Sequence, residues 1–362
     1  MTLIALFSPQ RPVLLADVLL SHETLPQLQV LPTGVSLAPM PVGRLRPVDT
    51  TQKIVLLADG RIALAGTGDI SRIKMIAQRL KLEHPKLKPH DLPQWLADRR
   101  TVWSSTTNII AAWFDRNSGD FCAAGVGEDI KQFEAKEFGN VVASGSGRPW
   151  LEQYSVRPGK AVQSTNNFSF QETVKTLAVA QTGLHLCGER LFGVKDHFGG
   201  GFQIAAFNGE RFEFVQDIAY LTFQVWHTAD GSTRVMLAPV INFQRCRGGN
   251  LAFEVWSLSD ERQESRAGAV VFRGKASFAR NKVAPLISGA ADGTLPAGEF
   301  RTPEYVNIIL IHQSDTGDVL RRGNFQMFGD PSMNPIQMTI IEEGIVEVSV
   351  EEGTLSAWLR SG

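Results

Sequence analysis

The chain has 362 residues, with 36 Lys plus Arg against 37 Asp plus Glu and a formal net charge of −1. Near-neutrality removes any global attraction to nucleic acid or to an anionic membrane. A hydrophobic fraction of 43% against 20% charged excludes a disordered chain and allows a sizeable core, in about two domains at this length. No apolar run reaches the ~20 residues of a bilayer span. The start, MTLIALFSPQRP, lacks the basic segment and small-residue cleavage site of a secretory signal. Three scattered cysteines, Cys122, Cys187 and Cys246, have no zinc spacing and suit buried thiols in a reducing compartment, so the expected location is the cytoplasm.

In chain order, the apolar stretch from Thr2 to Phe7 and Val13–Asp17 flank the turn Ser8-Pro9-Gln10-Arg11-Pro12 and read as a hairpin. Residues 22–52 carry Pro26, Pro32, Pro39, Pro41 and Pro47, which block a long helix and predict a Pro-rich excursion. Residues 53–57 and 61–65 flank Ala58-Asp59-Gly60, a second hairpin. A helix follows, N-capped by Asp69, with Ile70, Ile73, Ile76 and Leu80 on one face. A shorter helix is expected over about 91–100, strands at 108–115, 120–126 and 140–144, and a helix near Trp150. The longest helix is expected over about 170–192, followed by strands at 202–207 and 212–214.

From residue 218 on the texture becomes alternating strands separated by Gly, Pro, Asp and Ser, with Trp226 and Trp256 as expected core. This predicts an all-β domain over 218–362, a small sandwich or barrel. The blocks of strands and helices in 1–217 predict an α+β domain of antiparallel sheets with helices on their outer faces. Gly66-Thr67-Gly68 lacks the third glycine of a dinucleotide fingerprint and follows a hairpin, and there is no P-loop, GxSxG or HExxH. No cofactor or metal is therefore expected. His84 and His90 read as solvated, and Lys81, Lys86 and Lys88 as a surface cluster.

The order of these elements resembles the proteasome β-subunit type of N-terminal nucleophile (Ntn) hydrolase over residues 1–217. The opening hairpin ending in Asp17, the strand begun by Lys53, Leu64-Ala65-Gly66 before Asp69, Ser144-Gly145-Ser146-Gly147, and Asp196-His197-Phe198-Gly199-Gly200-Gly201 carry that likeness. It implies a four-layer αββα sandwich followed by the all-β domain. It also implies a threonine peptidase in a self-assembled homo-oligomeric ring, acting on a polypeptide or peptide substrate without a cofactor. A partner for residues 218–362 is left open.

In such an enzyme Thr2, exposed by removal of Met1, is nucleophile through its hydroxyl and base through its α-amine, whose reference pKa of ~7.7–8.0 suits neutral pH. Lys53 places a positive charge beside the hydroxyl, Asp17 pairs with Lys53, Ser146 and Asp196 relay protons near the amine, and the Gly66 amide stabilises the oxyanion. Each residue also has an ordinary reading: strand threonine, strand-end acid or lysine, helix N-cap, turn residue. Two departures stand out. Gly199 takes a position where the family carries a serine. Counted back from Asp17 without a gap, Met1 falls on the nucleophile position, and a one-residue shorter turn at 8–12 restores Thr2. Alternative readings are an Ntn amidase or acyltransferase on a small amide, and a catalytically inactive ring-forming scaffold.

Overall fold

The computed structural model describes residues 2–8, 12–40, 44–99, 106–135, 138–153, 170–192, 199–287, 303–314, 316–328, 336–341 and 344–360. The chain divides into two units, one of Met1–Val215, Cys246–Leu251 and Lys282–Thr294, the other of Gln216–Arg245, Ala252–Asn281 and Leu295–Gly362.

The first hairpin forms over the two apolar stretches expected to make it, as β1 (Ile4–Phe7) and β2 (Val13–Asp17). The Pro-rich excursion is closed at its base by a short ladder of β3 (Leu19–His22) and β4 (Arg46–Thr50). β5 (Ile54–Leu57) and β6 (Ile62–Thr67) form the second hairpin. Helix α1 (Ile70–Glu83) begins at Asp69, whose Oδ1 accepts from the Ser71 and Arg72 amides at 2.9 and 3.3 Å. Its buried stripe is Ile73, Ile76, Ala77 and Leu80. Helix α2 (Leu92–Asp98) buries Leu92, Trp95 and Leu96. Strands β7 (Asn108–Phe114), β8 (Phe121–Val126), β9 (Lys131–Ala135) and β10 (Gly139–Ser144) follow, then helix α3 (Arg148–Gln153) and the 23-residue α4 (Phe170–Phe192). β11 (Phe202–Phe207) and β12 (Phe212–Phe214) complete the strands of this unit's sheets.

One sheet has the order β12-β11-β2-β1-β10-β9 and the other β5-β6-β7-β8. Alternate residues of the two meet in one core: Leu6 and Leu14 with Phe207 from the first, Ala63 with Ile110 and Ala112 from the second. The opposite face of the four-stranded sheet packs its Leu64, Ile109 and Ala111 against α1 and α2, while α4 packs on β2 and β11.

The expected α+β, four-layer αββα sandwich is nonetheless corrected. Among the described residues strands make up 52% and helix 20%, in several antiparallel sheets, and the helix-flanked four-layer sandwich is lacking. The helices are too few for it: on one sheet they supply 14 and 7 residues, and α4 meets two strands of six. The balance shifts further toward strand after residue 216, because segments read as turns from their polar side chains are strand. β13 (Asp217–His227), β14 (Thr233–Leu237) and β15 (Val240–Arg247) are followed by β16 (Asn250–Arg266) and β17 (Ala269–Val283), of 17 and 15 residues. β18 (Tyr305–Ser314), β19 (Val319–Phe328), β20 (Ile336–Ile341) and β21 (Ile345–Glu351) come next, and helix α5 (Glu352–Arg360) ends the described chain.

These nine strands form one sheet, β19-β18-β13-β15-β16-β17-β21-β20 with β14 beside β13. β13 and β18 run parallel from Ile218↔Tyr305 to His227↔Ser314. Its core gathers Leu221, Phe223, Phe243, Trp256, Phe272 and Ile308. Trp256 is buried as expected and Trp226 partly so.

Candidate active site

Register places the first hairpin's open end. Ile4 lies opposite Ala16, and the Asp17 amide donates to the Leu3 carbonyl at 3.0 Å. The next residue outward is Thr2, and its side chain meets Asp17. Thr2 is buried, and its Oγ1 donates to Asp17 Oδ1 and accepts from Lys53 Nζ. Asp17 Oδ1 also accepts from Lys53 Nζ at 2.6 Å and from the Leu3 amide at 2.9 Å. The third ammonium donor goes to the Leu19 carbonyl at 2.6 Å. Lys53 and Asp17 are thus a fully buried ion pair with a hydroxyl between them. Burial pulls the Lys53 pKa below the usual lysine value, and the charge and hydrogen bond of Asp17 oppose that fall.

Lys53 is held on both sides along the chain. The Thr51 hydroxyl and the Gln52 amide donate to the Ala284 carbonyl at 3.1 and 2.8 Å, and Gln52 Nε2 donates to that of Val283 at 3.2 Å. Gln203 of β11 donates from Nε2 to Gln52 Oε1 at 3.0 Å and accepts the Ile54 amide at 2.8 Å. Its neighbour Phe202 is paired with Asp17, so one strand fixes the acid and the lysine together.

The turn after β10 closes over Thr2. A Cβ on Gly145, at φ +98°, would sit 1.9 Å from the Thr2 carbonyl oxygen, so only glycine allows that approach. The Gly147 amide donates to the same oxygen at 3.3 Å. Asp129 steers this turn, accepting from the Gly145 amide at 2.8 Å, Ser144 Oγ at 3.2 Å and Arg148 Nη2 at 3.5 Å. Asn108 joins it, accepting the Asp129 amide at 3.0 Å and donating to Thr67 Oγ1 at 3.1 Å. Ser146 Oγ is buried and finds no hydrogen-bond partner among the described residues, so the expected capping role is not realised.

Gly66 lies in β6, packed so closely on α1 that an added Cβ would meet Ile73 Cγ2 at 2.5 Å. Helix packing alone therefore demands glycine there. Asp196, with His197, lies outside the described residues. Of the turn it begins, Gly199 donates its amide to Asp17 Oδ2 at 3.0 Å and Gly200 to Glu189 Oε1 at 2.8 Å. The side-chain space at residue 199 is taken: a Cβ would lie 2.0 Å from Glu189 Oε1.

The structure therefore brings Thr2, Asp17 and Lys53 together, with the Ser146 turn bonded to the Thr2 backbone. Asp129, Glu189 and Gln203 were missed by sequence reasoning. They are single polar residues in segments without a motif, and their only local signal is proximity to glycine turns. Among the described residues no group of three His, Cys, Asp or Glu is arranged to hold a metal ion. No described helix is long and apolar enough to cross a membrane.

No protein-family model matches the chain, and no curated protein matches it. Among solved structures it is similar to an Anbu (Gly-1) mutant from Hyphomicrobium sp. strain MC1, at 10% identity and a TM-score of 0.32, over 66% of this chain and 89% of that one. A second Anbu structure from the same strain gives 12% identity and a TM-score of 0.31, over 59% and 86%. Anbu is a proteasome-like family related to the Ntn hydrolases. At such values the likeness carries no argument about activity.

Proposed function

We propose that this chain is a proteasome-like, Ntn-type hydrolase: a threonine peptidase with Thr2 Oγ1 as nucleophile, cleaving polypeptide or peptide substrates in a homo-oligomeric ring. The observation that carries the reading is the Thr2 hydroxyl bonded at once to Lys53 Nζ and Asp17 Oδ1 inside a buried ion pair. A strand-start threonine needs neither partner, and burying a charged pair is costly unless its geometry is satisfied.

With Met1 removed, the Thr2 α-amine takes the hydroxyl proton as Oγ1 attacks the substrate carbonyl carbon. The Lys53 ammonium lies against the developing alkoxide, kept charged by Asp17. The carbonyl oxygen becomes an oxyanion that the Gly66 amide receives, a donor of the kind worth roughly 2.7–4 kcal/mol. The leaving amine takes the proton from the α-ammonium, and water then hydrolyses the threonyl ester with the α-amine again as base. Ser146 Oγ, which has a free bond to give, and Asp196 relay the proton at the amine.

Two measurements test this. Intact mass should show the protein one methionine lighter than its full sequence, and a peptide epoxyketone or β-lactone should form one adduct, mapped to Thr2. Thr2→Ala should abolish the adduct. Retained Met1, or an adduct that survives in Thr2→Ala, would sink the proposal. Light scattering on the intact protein reads the ring directly, and a monomeric mass would remove that part.

A further inference from the structure

We propose that Glu189 is a positioning residue of the Thr2–Asp17–Lys53 centre, acting through the glycine turn 199–201, and that the same carboxylate ties the Pro-rich excursion to that centre. The catalytic half of this rests on the reading above.

Asp17 spends its two carboxylate oxygens differently. Oδ1 takes Lys53, Thr2 and the Leu3 amide, while Oδ2 takes the Gly199 amide. The rotation of the carboxylate, and so the place of Oδ1 beside the Thr2 hydroxyl, therefore depends on where the Gly199 N–H points. Gly199, Gly200 and Gly201 have φ of +125°, +73° and +113°. Glycine reaches such angles freely and for that reason holds none of them by itself. Glu189, buried on α4, supplies the restraint: its Oε1 accepts the very next amide, that of Gly200, at 2.8 Å. The same oxygen stands where a side chain on residue 199 would go. Two carboxylates on successive amides hold the turn from both ends.

The other oxygen of Glu189 faces the excursion. Thr33 Oγ1 donates to Oε2 at 3.5 Å, and both Thr33 and Leu31 are buried. Leu31 packs on Leu19, whose carbonyl accepts from Lys53 Nζ. The excursion thus reaches the ion pair by two routes, one polar through Glu189 and one apolar through Leu19.

The test compares wild type, Glu189→Ala, Glu189→Gln, Glu189→Met and Thr33→Val in the full-length protein, well below their unfolding temperatures. It reads amide hydrogen exchange over residues 199–204 and the rate of β-lactone addition at Thr2. Losing the Glu189 acceptor should raise exchange at Gly199 and Gly200 about tenfold, the size of one hydrogen bond, and slow addition by a similar factor. Glu189→Gln keeps an oxygen for the Gly200 amide and should recover most of both, whereas Glu189→Met, which keeps the bulk without the acceptor, should not. Thr33→Val should raise exchange over 31–37 and slow addition less than Glu189→Ala. Should Glu189→Ala not fold, Gly199→Ala, which drives a methyl into Oε1, must raise exchange and slow addition in its place.

Unchanged exchange in Glu189→Ala, or raised exchange with an unchanged rate of addition, overturns the proposal. If wild-type Thr2 forms no adduct, the peptidase reading fails on its own. In that case the exchange data still decide whether Glu189 holds the turn.

Discussion

Both units of this protein bury charge, and they do so with different cations. In the second unit Glu254 accepts from Arg280 Nε at 2.9 Å, Arg245 Nε at 3.5 Å and Trp256 Nε1 at 3.2 Å, and Arg245 reaches Asp217 at 3.7 Å. Its donors are planar guanidinium forks matched to carboxylates, which never lose their charge. In the first unit the cation is Lys53, a compact ammonium with three donors, one of which goes to a hydroxyl. The difference lies in what the cation's donors meet. The arginine cluster is built from carboxylates, guanidinium groups and an indole, whereas the lysine pair has a threonine hydroxyl bonded into it.

The largest effect expected from breaking this contrast is on stability in the second unit. Glu254→Gln leaves buried guanidinium charge without its counter-ion and should cost about 3–5 kcal/mol, read as a fall in the urea midpoint. An unchanged midpoint would show that the cluster is not the buried network described. Next is Lys53→Arg, which keeps the charge and loses the three-donor geometry. The rate of electrophile addition at Thr2 should fall about 100- to 1000-fold, the size of losing one well-placed donor to a developing oxyanion. Arginine working as well as lysine would erase the distinction between the two clusters.

A smaller effect sharpens the contrast by pH. His185 on α4 is buried between Trp150, 4.2 Å away, and Phe202, 4.8 Å away, and burial pushes its pKa down from 6.5 to about 3. The folded state then binds fewer protons than the unfolded one between those values. The stability this neutral ring contributes is full above pH 6.5 and is lost as pH falls toward 3, with about 2 kcal/mol gone by pH 5. His185→Phe should remove that part of the acid loss in denaturant titrations at pH 8 and pH 5, and an unaltered slope would mean that His185 titrates normally. The smallest effect is at the N-cap of α1, where Asp69→Ala should cost about 1 kcal/mol and leave electrophile addition at Thr2 unaffected.

The parts of the molecule legible in the sequence are those whose cause is local. Asp69 and the spacing of Ile73, Ile76 and Leu80 specify α1, and the Ser8–Pro12 and Ala58–Gly60 turns specify the two hairpins. Thr2, Asp17 and Lys53 were legible as candidates only together, through the order of motifs that resembles the proteasome β-subunit type; singly each reads as a strand threonine, a strand-end acid or a strand-start lysine. Glu189 was not, since its role comes from contact with Thr33, 156 residues away, and with a turn outside its own helix. Gln203 and Asp129 were hidden for the same reason. β16 and β17 were under-read because their outer halves carry exposed charged and polar side chains, Glu261 to Ser265 among them, which resemble a loop to any reading based on hydropathy. The strand content thus exceeded the expectation, and the helix-flanked sandwich gave way to a chain dominated by antiparallel sheets.

The bonds from Thr51 and Gln52 to residues 283 and 284 span 231 to 233 positions of sequence. On a ribosome adding about 5–20 residues per second, the segment that braces the lysine emerges roughly 10–50 s after the lysine itself. Throughout that interval the nascent chain carries the threonine, the acid and the lysine without the strut beside the lysine. The surroundings of the Thr2–Asp17–Lys53 cluster are therefore not complete until most of the polypeptide has been synthesised.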